Sequence, residues 1–250
     1  MKTITILSGK GGVGKSSITA SLAVLLTKKR KIIAVDCDVD SPNLALVLGV
    51  KQFTSVEKIQ TSEKAKVVVK KCPECKNKID VCIFGAITWD KKNQRPLINK
   101  FLCEGCGVCQ LAFPRGTIKL KKVQNAYISI AKTDYDFDIV SGQLKMGESG
   151  SGKVVTEVRK KAESLAEKEK AEFVLIDSSP GIGCPVIASI QGSDYVVAIT
   201  EPTPSALNDL KRVLQVVGHF RIPYGIIVNK WDINRIFTKK IENFAKRYNI

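Results

Sequence analysis

The chain has 250 residues, 44% of them hydrophobic and 26% charged, with a formal net charge of +16. Its length suffices to bury a full core in one or two domains, and no segment approaches the about 18 consecutive apolar residues of a membrane span, so no transmembrane segment is expected. The basic excess fits nucleic acid, an anionic membrane surface or an acidic protein as partner, and equally a lysine-rich surface that binds nothing, because lysine is spread along the whole chain.

Lys2 to Leu7, KTITIL, is β-branched and apolar like a buried strand, and Ile18, Leu22, Leu25 and Leu26 then recur at helical spacing. Between them lies SGKGGVGKSS, Ser8 to Ser17. From Gly9 it reads G-x-x-x-x-G-K-S, the phosphate-binding loop pattern. Gly9, Lys10, Gly11, Gly12, Val13, Gly14 and Ser17 are expected to close backbone N–H groups on phosphate oxygens, Lys15 to reach the β- and γ-phosphates, and the Ser16 hydroxyl to take Mg²⁺. A helix N-terminus directly after the loop favours anions. The apolar N-terminal run leads into this loop and so reads as structure, not as a secretory signal; a cytoplasmic protein is expected.

Lys10 follows the first glycine, giving K-G-G-V-G-K-S with two lysines facing one nucleotide. This resembles the deviant phosphate loop of the MinD/ParA-type ATPases, a group that includes the nitrogenase iron protein and the Mrp-type cluster carriers. The resemblance implies that Lys10 reaches across a dimer interface to the partner's ATP, and that the ATP-bound homodimer is the active state. Lys31 to Val35 is a second apolar strand ending in DCDVD, Asp36 to Asp40, carboxylates just past a strand end where ligands bind in open α/β sheets. In the MinD-like pattern Asp38 corresponds to the residue that orients the attacking water, with Asp36 shaping the loop near the metal. Ser41 to Val50 reads as a short capped helix closed by Gly49.

From about Thr54 to Thr133 the character changes: six of the eight cysteines fall between Cys72 and Cys109, with many lysines, short strand-like pairs such as Ala86 to Trp89 and Tyr127 to Ile130, and no long helical periodicity. Cysteines so crowded, in a chain expected in the cytoplasm, point to metal or redox chemistry and away from disulfides. The segment resembles a bacterial two-cluster ferredoxin, in which each fourth cysteine of a C-x₂-C-x₂-C-x₃-C run serves the other cluster. Here the first run is Cys72, Cys75, Lys78, Cys82 and the second Cys103, Cys106, Cys109, Phe113. The crossing rule leaves Cys82, Cys103, Cys106 and Cys109 complete for one [4Fe–4S] cluster. A second cluster would need thiolates at Lys78 and Phe113, so none is expected and Cys72 and Cys75 remain a free pair. The alternative is zinc held by Cys72, Cys75, Cys103 and Cys106 as a ribbon, which strands Cys82 and Cys109.

From Tyr135 the α/β rhythm resumes. Gly147 to Lys153 repeats G-x-x-x-x-G-K but ends in Val154, without the hydroxyl for Mg²⁺ or a preceding strand, and reads as a loop before a lysine-rich helix, Val154 to Lys168. Glu172 to Asp177, EFVLID, is an apolar strand ending in the aspartate expected to hold Mg²⁺, followed by the glycine-containing switch SSPGIG. Cys184 lies at an offset similar to that of the cluster ligand in the nitrogenase iron protein; a small buried residue is the plainer expectation. Cys37 reads as structural, and His219 as a helix-end or surface residue. Asp194 to Thr200 is a strand, Thr203 to Ser205 a cap and Leu207 to Val217 a helix. Tyr224 to Val228 is the last strand, and Asn229 beyond it resembles the base-recognition position, which implies adenine contact. Ile236 to Ile250 sets Phe237, Ile241, Phe244 and Tyr248 on one helical face, expected to cover the sheet more than to bind a membrane.

The expected fold is therefore a mostly parallel α/β sheet flanked by helices over residues 1–55 and 134–250, with a small α+β ferredoxin-like insertion over 56–133. The expected function is an Mg²⁺-dependent ATPase whose ATP-driven dimerisation is coupled to electron transfer or metallocofactor assembly with a redox or metallocofactor-protein partner. Lys10, Lys15 and Asp38 carry the catalysis; ATP, Mg²⁺ and one [4Fe–4S] cluster are the cofactors. The alternative is a ParA/MinD-like positioning ATPase that binds DNA or an anionic membrane, with the cluster or zinc as a staple. A third reading is a cluster carrier using Cys184 or the Cys72 and Cys75 pair.

Overall fold

The β-branched runs Lys2–Ser8, Ile32–Cys37 and Phe173–Ser178 lie side by side in one sheet. The structure, a computed structural model, describes every residue except Arg115 and Asn249. In chain order the elements are β1 (Lys2–Ser8), α1 (Lys15–Thr27), β2 (Ile32–Cys37), α2 (Leu44–Val47), β3 (Ser55–Ile59), β4 (Ser62–Val67), a 3₁₀ segment (Pro73–Val81), β5 (Ile87–Asp90), β6 (Arg95–Ile98), α3 (Val108–Ala112), β7 (Ile118–Val123), β8 (Ala126–Lys132), β9 (Asp138–Leu144), α4 (Ser151–Glu169), β10 (Phe173–Ser178), α5 (Cys184–Ile190), β11 (Tyr195–Thr200), α6 (Pro204–His219), β12 (Tyr224–Val228) and α7 (Arg235–Arg247). Eight of the strands form one sheet in the order β12-β11-β1-β10-β2-β9-β8-β3. The pairs from β12 through to β9 are all parallel.

Parallel strands need both faces covered, and β2 is buried at every position. Successive side chains point to opposite faces, so Ile6 and Leu7 enter two different cores. The first holds Ala20 and Ala23 of α1 with Ala34 and Leu175; the second holds Val186 and Ile190 of α5, Leu210 and Val213 of α6, and Ile241 of α7. Both cores anchor helices whose N-termini follow strand ends, which is what sets the site.

The chain forms two compact units. The first is Met1–Glu57, Tyr127–Leu144 and Ser151–Ile250; the second is Lys58–Ala126 with Lys145–Gly150. The limits differ from those read from the sequence. Tyr127 to Ile130, expected inside the insertion, falls in β8 of the large sheet, where Ile128 and Ala131 are buried and Ala131 joins the core beside Phe137. Of the loop expected in the ATPase over Gly147 to Lys153, residues 147–150 belong with Lys145 and Met146 to the second unit: Asn125 accepts from the Lys145 N–H and donates to the Ser149 carbonyl, and Lys64 pairs with Glu148 at 3.0 Å. Lys153 lies inside α4, not in a loop. The second unit has an antiparallel β4–β7 ribbon, a β5–β6 hairpin, α3 and the 3₁₀ segment around Ala65, Cys72, Cys75, Ile87, Cys103, Phe113 and Ile118. The FPRGTI tail read from the sequence includes Arg115, which lies outside the described residues; Ile118 within that tail opens β7.

Among the described residues no helix is long and apolar enough to cross a membrane. The amphipathic face of α7 packs inward: Ile241 is fully buried, and Phe237 and Phe244 lie against the second core, while Tyr248 is exposed. Ile241→Ala should therefore lower stability by about 2–5 kcal/mol in denaturant unfolding, the range for a truncated core isoleucine; an unchanged unfolding midpoint would mean that α7 does not cover the sheet.

Candidate functional site

The loop after β1 is shaped by what surrounds its glycines. Gly14 adopts φ 91° and is the N-cap of α1, so no side chain caps the first turn. The N–H groups of that turn have no partner within the helix and face whatever the loop encloses. A Cβ on Gly14 would strike the Asn229 amide, and one on Gly9 would strike the Asp209 backbone of α6, so both positions demand close approach. Asn229 donates to the Val13 carbonyl at 2.9 Å, and Lys230 donates to the Gly12 carbonyl at 3.0 Å. The loop is thus tied to the end of β12 from one side.

Beneath it lies Asp177, wholly buried at the end of β10. Its carboxylate accepts from Lys15 Nζ at 2.8 Å, Ser16 Oγ at 2.6 Å and Thr19 Oγ1 at 3.0 Å. A buried carboxylate is tolerable only with such partners. Parallel pairing sets Asp177 level with Asp36 on β2 and Ile6 on β1, so the acidic strand ends share one edge of the sheet with the loop. Asp36 accepts from the backbone N–H of Asp38 at 3.0 Å and of Leu44 at 2.9 Å. Burial, reinforced by the Asp177 carboxylate, pushes its pKa up to about 7 against the opposing pull of those two N–H groups. Burial also raises Asp38, with the Lys15 ammonium opposing. The switch segment lies close by: the Gly181 N–H donates to the Ser8 carbonyl at 2.9 Å and Ser179 Oγ to the Cys37 carbonyl at 3.1 Å.

Lys10 is half-exposed and pairs within its own chain with Glu201, at 3.2 Å; the other Glu201 oxygen takes Lys230 at 2.9 Å. The sequence reading missed Glu201 and Thr19. Glu201 immediately follows β11, whose partner β1 leads into the loop, and the rule that singled out Asp36, a carboxylate past a strand end, would have found it. Thr19 carries no such signal, since only its place one helical turn after Lys15 aims it at Asp177.

The model of the CobQ/CobB/MinD/ParA nucleotide-binding domain matches residues 4–249. The chain belongs to this family. An uncharacterized protein of Methanocaldococcus jannaschii is 40% identical over 233 residues, covering 93% of this chain and 79% of its own. The septum site-determining protein MinD of Helicobacter pylori is 26% identical over 246 residues, covering 96% of this chain and 69% of its own. Among solved structures, MinD of Pyrococcus horikoshii complexed with Mg-ADP has a TM-score of 0.50 at 23% identity, covering 93% of this chain and 72% of that one; it bears on the fold. The family is one of P-loop ATPases.

In this MinD/ParA-type chain the cysteines of the second unit divide into two groups. Cys82, Cys103, Cys106 and Cys109 line one apolar cavity of about 180 Å³, with Ala65, Ile87 and Ile98 among its walls. The Ala65 N–H points at Cys103 Sγ, 3.4 Å away. Burial, with Cys103 and Cys106 close by, holds the Cys109 thiol above its ordinary value. Cys72 and Cys75, expected as a free pair, are joined by a disulfide. That bond separates the donors of the zinc alternative, since Cys103 and Cys106 face the other group. Among the described residues no three Cys, His, Asp or Glu side chains converge to hold a single metal ion. Cys184, expected as a buried residue, is exposed at the start of α5, whereas Cys37 is buried in β2 as expected. His219 closes α6 at the surface.

Asp36 supplies a test of the strand-end geometry. A carboxyl raised in the folded state binds its proton there more tightly than in the unfolded chain, so its contribution to stability is complete at about pH 4 and is lost as pH rises towards 7. An asparagine cannot ionise. In metal-free protein the stability advantage of wild type over Asp36→Asn should shrink across that window in urea titrations; a constant difference would place Asp36 in water.

Proposed function

We propose that the chain is an Mg²⁺-dependent ATPase that pairs two copies when ATP binds and uses the cycle to engage an anionic surface, DNA or membrane, as a positioning protein does. The observation that carries the ATPase reading is the convergence of Lys15 and Ser16, the first two residues of α1, on one buried carboxylate beneath an uncapped helix N-terminus. Without nucleotide, Asp177 neutralises the Lys15 ammonium. A bound phosphate would offer Lys15 a new anion, and Asp177 and Ser16 would be the residues to hold Mg²⁺, which would neutralise phosphate charge. Lys10 would leave Glu201 and reach across to the partner's phosphates, adding positive charge where it develops in the transition state. Asp38 would orient the attacking water, and Asn229, beside Gly14, would meet adenine.

Charge supports the positioning reading. The second unit holds sixteen Lys and Arg against six Asp and Glu, a net +10 of the chain's +16. In β4–β7 the register sets Lys66 opposite Lys119, both exposed. Like charges facing each other across a ladder cost stability and are relieved by a bound polyanion.

A second reading rests on the cysteine cavity. Four thiols on one apolar cavity fit the four thiolates of a [4Fe–4S] cluster, and an N–H aimed at a sulfur suits such a centre. Cys82, Cys103, Cys106 and Cys109 would be its ligands, and the cluster would supply one-electron chemistry, making a redox or metallocofactor protein the partner.

Three measurements separate these. Lys10→Ala should abolish ATP-dependent dimerisation in light scattering while retaining nucleotide binding; dimers that persist would remove the cross-interface role. Binding to duplex DNA or anionic vesicles should rise with ATP and fall steeply with salt; no binding to either at low salt would end the positioning reading. Anaerobically purified protein should hold about four irons and four sulfides per chain, lost in Cys82→Ser; zinc without sulfide would end the cluster reading.

A further inference from the structure

We propose that Cys72 and Cys75 are a thiol–disulfide redox site whose co-substrate is a dithiol, independent of both the nucleotide site and the four-cysteine cavity. The two residues frame Cys-Pro-Glu-Cys, their Cα atoms are 5.4 Å apart, and their sulfurs are bonded. Among the described residues no third Cys, His, Asp or Glu converges with them to hold a metal ion. Of the two positions that would complete a metal-binding set, Lys78 extends its Nζ to the Ala112 carbonyl at 2.9 Å, and Phe113 is buried in the same core as the disulfide. A phenyl ring supplies no metal ligand. Neither Cys72 nor Cys75 lines the cavity of the other four cysteines. The pair is therefore left with each other as chemical partner.

The surroundings favour reversible exchange over a permanent staple. The bond closes a loop with a sequence separation of only 3, so it removes little entropy from the unfolded chain. It sits at the mouth of the 3₁₀ segment Pro73–Val81, with Cys72 as the N-cap. Nine residues is long for a 3₁₀ helix, whose hydrogen bonds are poor, and such a segment opens locally at low cost. Cys75 is fully buried and Cys72 slightly exposed, so opening presents Cys72 Sγ first. Lys70, Lys71 and Lys76, near the pair in sequence, are exposed, and Glu74 Oε1 lies 3.9 Å from Cys72 Sγ.

A thiolate of the dithiol attacks Cys72 Sγ, the Sγ–Sγ bond breaks, and Cys75 departs as a thiolate that takes a proton. The second thiol of the reductant then attacks its own sulfur in the mixed disulfide and releases Cys72. Two electrons and two protons pass to the protein, and the dithiol leaves as a disulfide.

The test uses the full chain, purified without oxygen and equilibrated in buffers of reduced and oxidised dithiothreitol or glutathione, then acid-trapped, alkylated and weighed. Cys72 and Cys75 should change state together, tenfold in the reduced-to-oxidised ratio for about 30 mV, as a two-electron couple does. In Cys72→Ser, Cys75 should be alkylated at every potential. The proposal is overturned if no ratio of reduced to oxidised dithiothreitol or glutathione changes the pair in folded protein, or if metal analysis of Cys82→Ser finds an ion that is lost when Cys72 and Cys75 are also replaced by serine. Far-UV circular dichroism of the Cys72→Ser/Cys75→Ser double variant, expected to match wild type, separates loss of the couple from loss of the fold. ATP binding by the same variant should be unchanged, so failure here leaves the ATPase reading intact.

Discussion

A single buried carboxylate organises the nucleotide site. Asp177 has no solvent to stabilise its charge, so it must be met by donors, and it draws Lys15, Ser16 and Thr19 from one face of α1. That requirement fixes the rotation of α1 about its axis and the depth at which its first turn sits. The glycine loop is then the only path from β1 to that turn, and its close approaches to Asn229 and Asp209 leave no room for side chains at Gly14 and Gly9. The arrangement stores an exchange: the partners that satisfy Asp177 in the free protein are the groups a magnesium nucleotide would recruit.

A second exchange lies at the loop's outer edge. Glu201 holds Lys10 and Lys230 together, and the two lysines lower its pKa, the hydrogen bond from Lys230 most of all. Pairs this accessible are worth little in stability. Their consequence is positional, because Lys10 is held beside Glu201 of its own chain. The second unit is built on a small core, where cysteines stand in for larger apolar residues. Below about 80 residues a hydrophobic core alone supplies little stability, which gives its cysteines a structural part to play beside any redox one.

Much of the ATPase unit was legible in the sequence because its rules are local. A β-branched run, a glycine loop and a helix with lysine and serine at its start identify a phosphate site without reference to the rest of the chain. The strands ending in Asp36 and Asp177 and the Thr203 cap, which accepts from the Ala206 N–H at 3.2 Å, follow from period and end chemistry in the same way. The insertion was less legible. β8 carries a strand pattern that suits either unit, and only its place in the large sheet decided which. Residues 145–150 resemble a loop in composition, yet their backbone is held by Asn125, a residue distant in sequence.

Spacing by itself determined the phosphate loop, since that depends on residues a few positions apart; the family was legible there as a resemblance carried by Lys10, and the grouping of the cysteines into four and two was only what the likeness to a ferredoxin implied. Tertiary structure alone decided that Cys72 bonds Cys75, that Phe113 is buried in the same core, that Cys184 is exposed, and that Glu201 pairs with Lys10. Those are contacts across folded chain, set by which side chains burial forces together, and no local pattern encodes them.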